Sequence, residues 1–171
     1  MNAKILYFLN SLTGKSVYLD SIFIFLASYL QYVLGIVFLL FLVFSGYKNK
    51  EKIKILTVTV GSIIISRIFI VESIRFFYHR PRPFLVYNLN QLIPETGYSF
   101  PSGHASVFFA VSAATFCYNK KLGIAFFIAS LLMNISRVIV GVHYLSDIIG
   151  GLALGSIVAF GIYHLVERKK Y

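Results

Sequence analysis

Phe100-Pro101-Ser102-Gly103-His104-Ala105 is a polar interruption that runs straight into Ser106 to Tyr118, an apolar segment of helical length. A Ser-Gly-His cluster opening an apolar helix puts free backbone N–H groups, a hydroxyl and an imidazole at the positive end of a helix dipole. Phosphate binds in such places. Two other clusters complement it. Upstream, Arg75-Phe76-Phe77-Tyr78-His79-Arg80-Pro81-Arg82-Pro83 gathers guanidinium groups and an imidazole. Downstream, Ser136-Arg137 is followed by His143 and then by Asp147, one helical turn further on.

Everything around these clusters is chiefly apolar. The 171 residues are 58% hydrophobic and 13% charged, with a mean hydropathy of +0.79, which lies outside the range of ordinary soluble domains. The expected fold is all-α: one integral membrane domain over residues 1–171, built as a polytopic helix bundle. The net charge of +10 comes mostly from short basic clusters bordering apolar runs. That is the pattern of membrane topology signals, and it argues against a nucleic-acid partner. Cys117 is the single cysteine, so no intrachain disulfide can form. The first residues lack the long apolar centre and small-residue cleavage site of a signal peptide, and no processing is expected.

In chain order, Met1 to Leu12 carries Ile5, Leu6, Phe8, Leu9 and Leu12 at helical spacing, too short to span and suited to an interfacial helix. Five spans are then expected: about Ser21 to Tyr47, Ile55 to Tyr78, Ser102 to Tyr118, Leu122 to Val140 and Tyr144 to Val166. Lys48 to Lys54 reads as a loop. His79 to Phe100, rich in Pro and Asn, reads as a longer loop and a candidate lid. Within the second span Arg67, Glu72 and Arg75 are costly in a bilayer. Glu72 lies one turn from Arg75 and reads as its supporting ion-pair partner, and Arg67 as a packing or interface residue. Gly151 and Gly155 form a Gly-x-x-x-Gly step suited to close helix packing. His79 and His164 fall outside the clusters and read as non-catalytic.

Five crossings allow a test of sidedness. The loop after the first span carries four Lys, the turn at Lys120-Lys121 two, and Arg168-Lys169-Lys170 three. All fall on one side, which the positive-inside rule makes cytoplasmic. The three polar clusters then share the outer face.

The spacing of those clusters resembles the type 2 phosphatidic acid phosphatase superfamily: Lys, six residues, Arg-Pro; Pro-Ser-Gly-His; then Ser-Arg, five residues, His, three residues, Asp. Arg75 stands where the family usually has Lys, exchanging a compact ammonium for a planar fork. The small size and the Leu19-Asp20-Ser21 start of the first span resemble the bacitracin-resistance type of undecaprenyl-diphosphatase, some members of which carry Asp in place of Gly103. The resemblance implies a lipid phosphate or diphosphate substrate and a phosphohistidine intermediate in a bacterial cytoplasmic membrane. Phosphatidylglycerophosphate phosphatase and lipid A phosphatase are the alternatives within the family.

The residues themselves supply the parts of phosphoryl transfer. Arg75, Arg82 and Arg137, the Ser102 hydroxyl and the N–H groups around Gly103 can share the non-bridging oxygens. Asp147 can hold one nitrogen of His143 and leave the other to attack, while His104 protonates the leaving group and later activates water. Two His and one Asp could instead hold a metal, but the clustered arginines would repel a cation, so neither metal nor cofactor is expected. An anionic-lipid carrier or flippase would also use cationic residues in a membrane fold. It has no need of a His-Asp pair.

Overall fold

A computed structural model describes residues 2–168, and all regular structure among them is helical. The expected all-α fold is therefore the observed one. A short helix α1 (Asn2–Asn10) precedes α2 (Val17–Phe44) and α3 (Asn49–Phe77). After a long connection come α4 (Gly103–Tyr118), α5 (Lys120–Ile139) and α6 (Leu145–Arg168). Among the described residues four helices, α2, α3, α5 and α6, are long and apolar enough to cross a membrane. At 16 residues, α4 is shorter, about 24 Å by helical rise against the ~30 Å of a hydrocarbon core.

The bundle is organised around α4. Its Ala and Ser side chains let neighbours approach closely: Ala105, Ala110, Ala113 and Ala114 are all fully buried. A Cβ on Gly155 would lie 2.2 Å from the Ser106 carbonyl oxygen, and one on Gly151 2.5 Å from the Ala105 Cβ. The Gly-x-x-x-Gly step is thus the contact by which α6 rides against α4. Some buried hydroxyls turn back on their own helices, Ser66 donating to Ser62 O at 2.6 Å and Ser112 to Phe108 O at 2.6 Å, whereas Ser106 Oγ and Thr115 Oγ1 of α4 are buried without a hydrogen-bond partner. By contrast, α2 and the outer faces of α3 and α6 leave Phe44, Phe69 and Ile157 more than half exposed, a surface that suits lipid.

One expectation about connections changes, and another holds. Lys48 to Lys54 is not a loop, since α3 starts at Asn49 and absorbs the lysines. Lys48 N–H donates to the Glu51 carboxylate at 3.1 Å, and the acid sits in the helix's first turn. The segment from His79 to Phe100 is irregular apart from one turn (Pro83–Val86), yet it is firmly stapled. Ser99 N–H donates to Arg80 O at 2.9 Å, Leu92 N–H to Val140 O at 3.3 Å, and Asn90 N–H to Asn10 Oδ1 at 3.0 Å. Helix α1 is part of this end: Leu6, 1% exposed, packs on Ala105, Phe109 and Ile148, and Asn10 Nδ2 donates to Ile139 O at 2.8 Å. The expected tail cluster is described only to Arg168, and Lys169 and Lys170 lie outside the described residues.

Candidate active site

Ser102 is the N-cap of α4. Its Oγ accepts the Ala105 N–H at 3.4 Å, and its own N–H donates to Asp147 O at 3.1 Å, tying the start of α4 to the start of α6. His104 therefore stands in the first turn of α4, beside the first turn of α6. On the other side of the site α5 ends at Ile139, and the chain reverses through Gly141 at φ 84, a left-handed conformation that glycine adopts without strain. This short reversal delivers His143 directly ahead of α6.

Asp147 joins the histidine to an arginine and to the backbone. Its Oδ2 accepts the Tyr144 N–H at 2.9 Å and lies 3.3 Å from His143 Nδ1, while its Oδ1 accepts from Arg80 Nη1 at 2.7 Å. Neither His143 (1% exposed) nor Asp147 (0%) has room to choose another partner. Arg80 in turn stacks on the Tyr144 ring with its Cζ 3.9 Å from the centroid. With Nδ1–H given to the carboxylate, His143 Nε2 carries the lone pair, and it faces Arg82 Nη1 at 3.5 Å. Burial first, then the positive charges of Arg137 and Arg82, hold the protonation of His143 well below the usual 6.5. The ring is therefore neutral and nucleophilic at neutral pH.

The site opens into a cavity of about 690 Å³ whose polar walls are Arg67, Arg75, Arg82, His104, His143 and Glu95; Gln31 and Tyr32 of α2 close one side. Arg75 also donates to Pro101 O at 3.0 Å. Arg82 is fixed by Thr96 O at 2.8 Å and Val142 O at 3.0 Å, and Arg137 by Ala27 O at 2.9 Å. Both then converge on Glu95, whose carboxylate pairs with Arg137 and lies 3.2 Å from Arg82 Nη2. Glu72, half exposed, pairs with Arg67 and reaches Arg75 at 3.6 Å, so it supports two arginines rather than one.

Of the residues expected from sequence, Arg75, Arg82, Gly103, His104 and His143 line the cavity. Ser102, Arg137 and Asp147 stand behind them, fully or almost fully buried. Three participants escaped the sequence reading. Arg80 alternates with Arg82 across Pro81, and such a pair gives no clue to which arginine faces the histidine. Glu95 is the one acid between His79 and Phe100, a signal that could have marked it as a counterion. Arg67 was read as a packing residue, yet it lies in the cavity wall. Among the described residues no group of three or more His, Cys, Asp and Glu is placed to hold a metal ion.

Residues 56–171 match the PAP2 superfamily, and so include all three polar clusters. The chain belongs to that superfamily. Within it the chain is 30% identical to the undecaprenyl-diphosphatase BcrC of Bacillus subtilis, over 94% of this chain and 81% of that protein. It is 37% identical to a lipid A 1-phosphatase of Rhizobium johnstonii over 45% of this chain and 33% of the relative. The crystal structure of Aquifex aeolicus LpxE superposes with a TM-score of 0.77 at 25% identity, covering 94% of this chain and 93% of that one. This protein is accordingly a multi-pass membrane PAP2 phosphatase, a hydrolase of phosphate esters or anhydrides.

Proposed function

We propose that the protein removes the terminal phosphate of a lipid diphosphate through a phosphohistidine on His143, with undecaprenyl diphosphate as the substrate and undecaprenyl phosphate and inorganic phosphate as products. The observation that carries the chemistry is the chain Arg80, Asp147, His143, which leaves Nε2 unprotonated beside Arg82 at the cavity wall. A carrier or flippase would have no use for it.

In this reading the terminal phosphoryl group enters between Arg75 and Arg82, near the α4 N-terminus at Gly103. His143 Nε2 attacks phosphorus, the bond to the leaving oxygen breaks, and the electron pair goes to that oxygen. His104, on the neighbouring helix, supplies a proton where the leaving group needs one. It then takes a proton from water as the phosphohistidine is hydrolysed. Glu95 already seats a carboxylate between Arg82 and Arg137, which supports these guanidinium groups as an anion seat.

The choice of lipid rests on the near full-length likeness to BcrC, against under half of the chain for the lipid A 1-phosphatase. We also read α4 as a fifth crossing, protected by its neighbours, which puts the site on the outer face of a bacterial cytoplasmic membrane opposite the lysines. Phosphate release by purified protein from a panel holding undecaprenyl diphosphate, phosphatidylglycerophosphate and lipid A tests the substrate. Preferred release from either of the last two overturns it. For sidedness, a cysteine at Asn90 in a Cys117→Ser background should react with an impermeant thiol reagent in intact cells, and one at Asn49 should not.

A further inference from the structure

Arg67 belongs to none of the family's motif positions, yet it shares the cavity wall with Arg75, Arg82 and both histidines. It projects from a π-helical stretch of α3 (Ile64–Val71), an irregularity that often marks functional positions. Its guanidinium lies close against Gly103: a Cβ there would sit 2.6 Å from Arg67 Nε and 3.1 Å from Cζ. Any side chain at Gly103 would therefore displace it. Arg82 and Arg137 are fixed by backbone carbonyls. Arg67 instead has a side chain 35% exposed, paired with Glu72, itself 50% exposed, so it can turn to a ligand without leaving a buried charge behind.

Its position along the reaction axis matters most. Arg82 lies 3.5 Å from His143 Nε2, at the attacking end, whereas Arg67 lies against the residue that precedes His104, at the departing end. A lipid monophosphate expels an alkoxide, which needs a proton. A lipid diphosphate expels a lipid monophosphate, whose growing negative charge needs a cation instead.

Resting on the diphosphate reading above, we infer that Arg67 binds the phosphoryl group adjoining the lipid and neutralises it as it departs, making this residue the determinant of diphosphate over monophosphate substrates. In the balanced step, His143 Nε2 forms a bond to the terminal phosphorus, and the bond from that phosphorus to the bridging oxygen breaks. Its electron pair stays on the lipid monophosphate held by Arg67. Water then attacks the phosphohistidine, the P–N bond breaks, and inorganic phosphate leaves.

The test compares farnesyl diphosphate with farnesyl monophosphate, which share one tail, on purified wild-type, Arg67→Gln and Arg67→Lys proteins. The ratio of kcat/KM for diphosphate to that for monophosphate should fall about 10- to 100-fold in Arg67→Gln, the worth of one charge-assisted contact, and recover substantially in Arg67→Lys. An unchanged ratio overturns the inference, whether or not both activities fall together. A second readout needs no turnover: methylenediphosphonate should protect the wild-type protein against thermal unfolding at lower concentration than inorganic phosphate, and Arg67→Gln should abolish that difference. Equal protection in the wild type overturns the inference. Absence of turnover on either ester by wild type counts against the phosphatase reading instead, and the diphosphonate result then decides the role of Arg67 alone.

Discussion

At the end of the bundle that holds His104 and His143, Arg137 and Arg82 are 2% and 3% exposed, each bound to backbone carbonyls and to one shared carboxylate. At the other end Lys48, Lys50, Lys120 and Lys121 stand on the surface, and Lys54 reaches across to Glu167 at 3.1 Å. Five of the six arginines belong to the first end. A planar, weakly hydrated guanidinium tolerates burial and offers directed donors to phosphate, while an ammonium on a long stem prefers water. On the proposed function, charge at the arginine end serves the chemistry, and charge at the lysine end sets orientation.

Breaking the arginine end should cost activity in graded steps. His143→Ala removes the proposed nucleophile, and phosphate release should drop by roughly 10⁴- to 10⁶-fold, as when a covalent nucleophile is lost elsewhere. Arg80→Gln leaves the cavity wall intact but frees Asp147 Oδ1. A loss of one charged hydrogen bond predicts a kcat lower by about 10- to 100-fold with KM little changed, and partial rescue by Arg80→Lys. A change in KM alone would place Arg80 in substrate binding instead.

The pH profile sharpens the same contrast. Because burial and Arg137 hold the protonation of His143 well below the usual 6.5, and in the proposed mechanism the neutral ring attacks, kcat/KM should rise with pH through that depressed value and be flat above it. The acid limb then lies below pH 6.5. Arg137→Gln removes the positive charge that acts most strongly on the ring, so the limb should move to higher pH, towards the ordinary imidazole value, while the maximum rate falls. A limb that stays in place would mean that another group controls it. The smallest effect belongs to the lysine end: replacing Lys48, Lys50 and Lys52 together by Gln should change kcat/KM of purified protein less than about 2-fold, as expected of surface charges remote from the site. Its consequence should appear in the thiol-labelling assay, as a mixture of orientations.

Much of this was legible in the sequence. Cluster spacing brought out His104, His143, Asp147 and their arginines, and hydropathy the helical membrane fold, because both depend on local pattern. Helix α4 was read to within one residue of its observed bounds, Gly103–Tyr118, but its central place was not, because that rests on small Ala side chains packed closely against other helices. The Lys48 to Lys54 segment was misread as a loop because its lysines interrupt the apolar pattern, though Glu51 caps the helix that contains them. Glu95 and Arg80 depend on contacts between distant parts of the chain, Glu95 with Arg137 and Arg80 with Asp147. No local pattern announces such pairs.

The most direct test of the account is to mix purified His104→Ala protein with undecaprenyl diphosphate labelled in its terminal phosphate, quench within a turnover and map the label. The diphosphate leaving group departs without a proton from His104, so phosphate should accumulate on the peptide containing His143, as an acid-labile phosphoramidate, and His104→Ala/His143→Ala protein should carry none. Label on any other residue, or stoichiometric phosphate release without a covalent adduct, would contradict it.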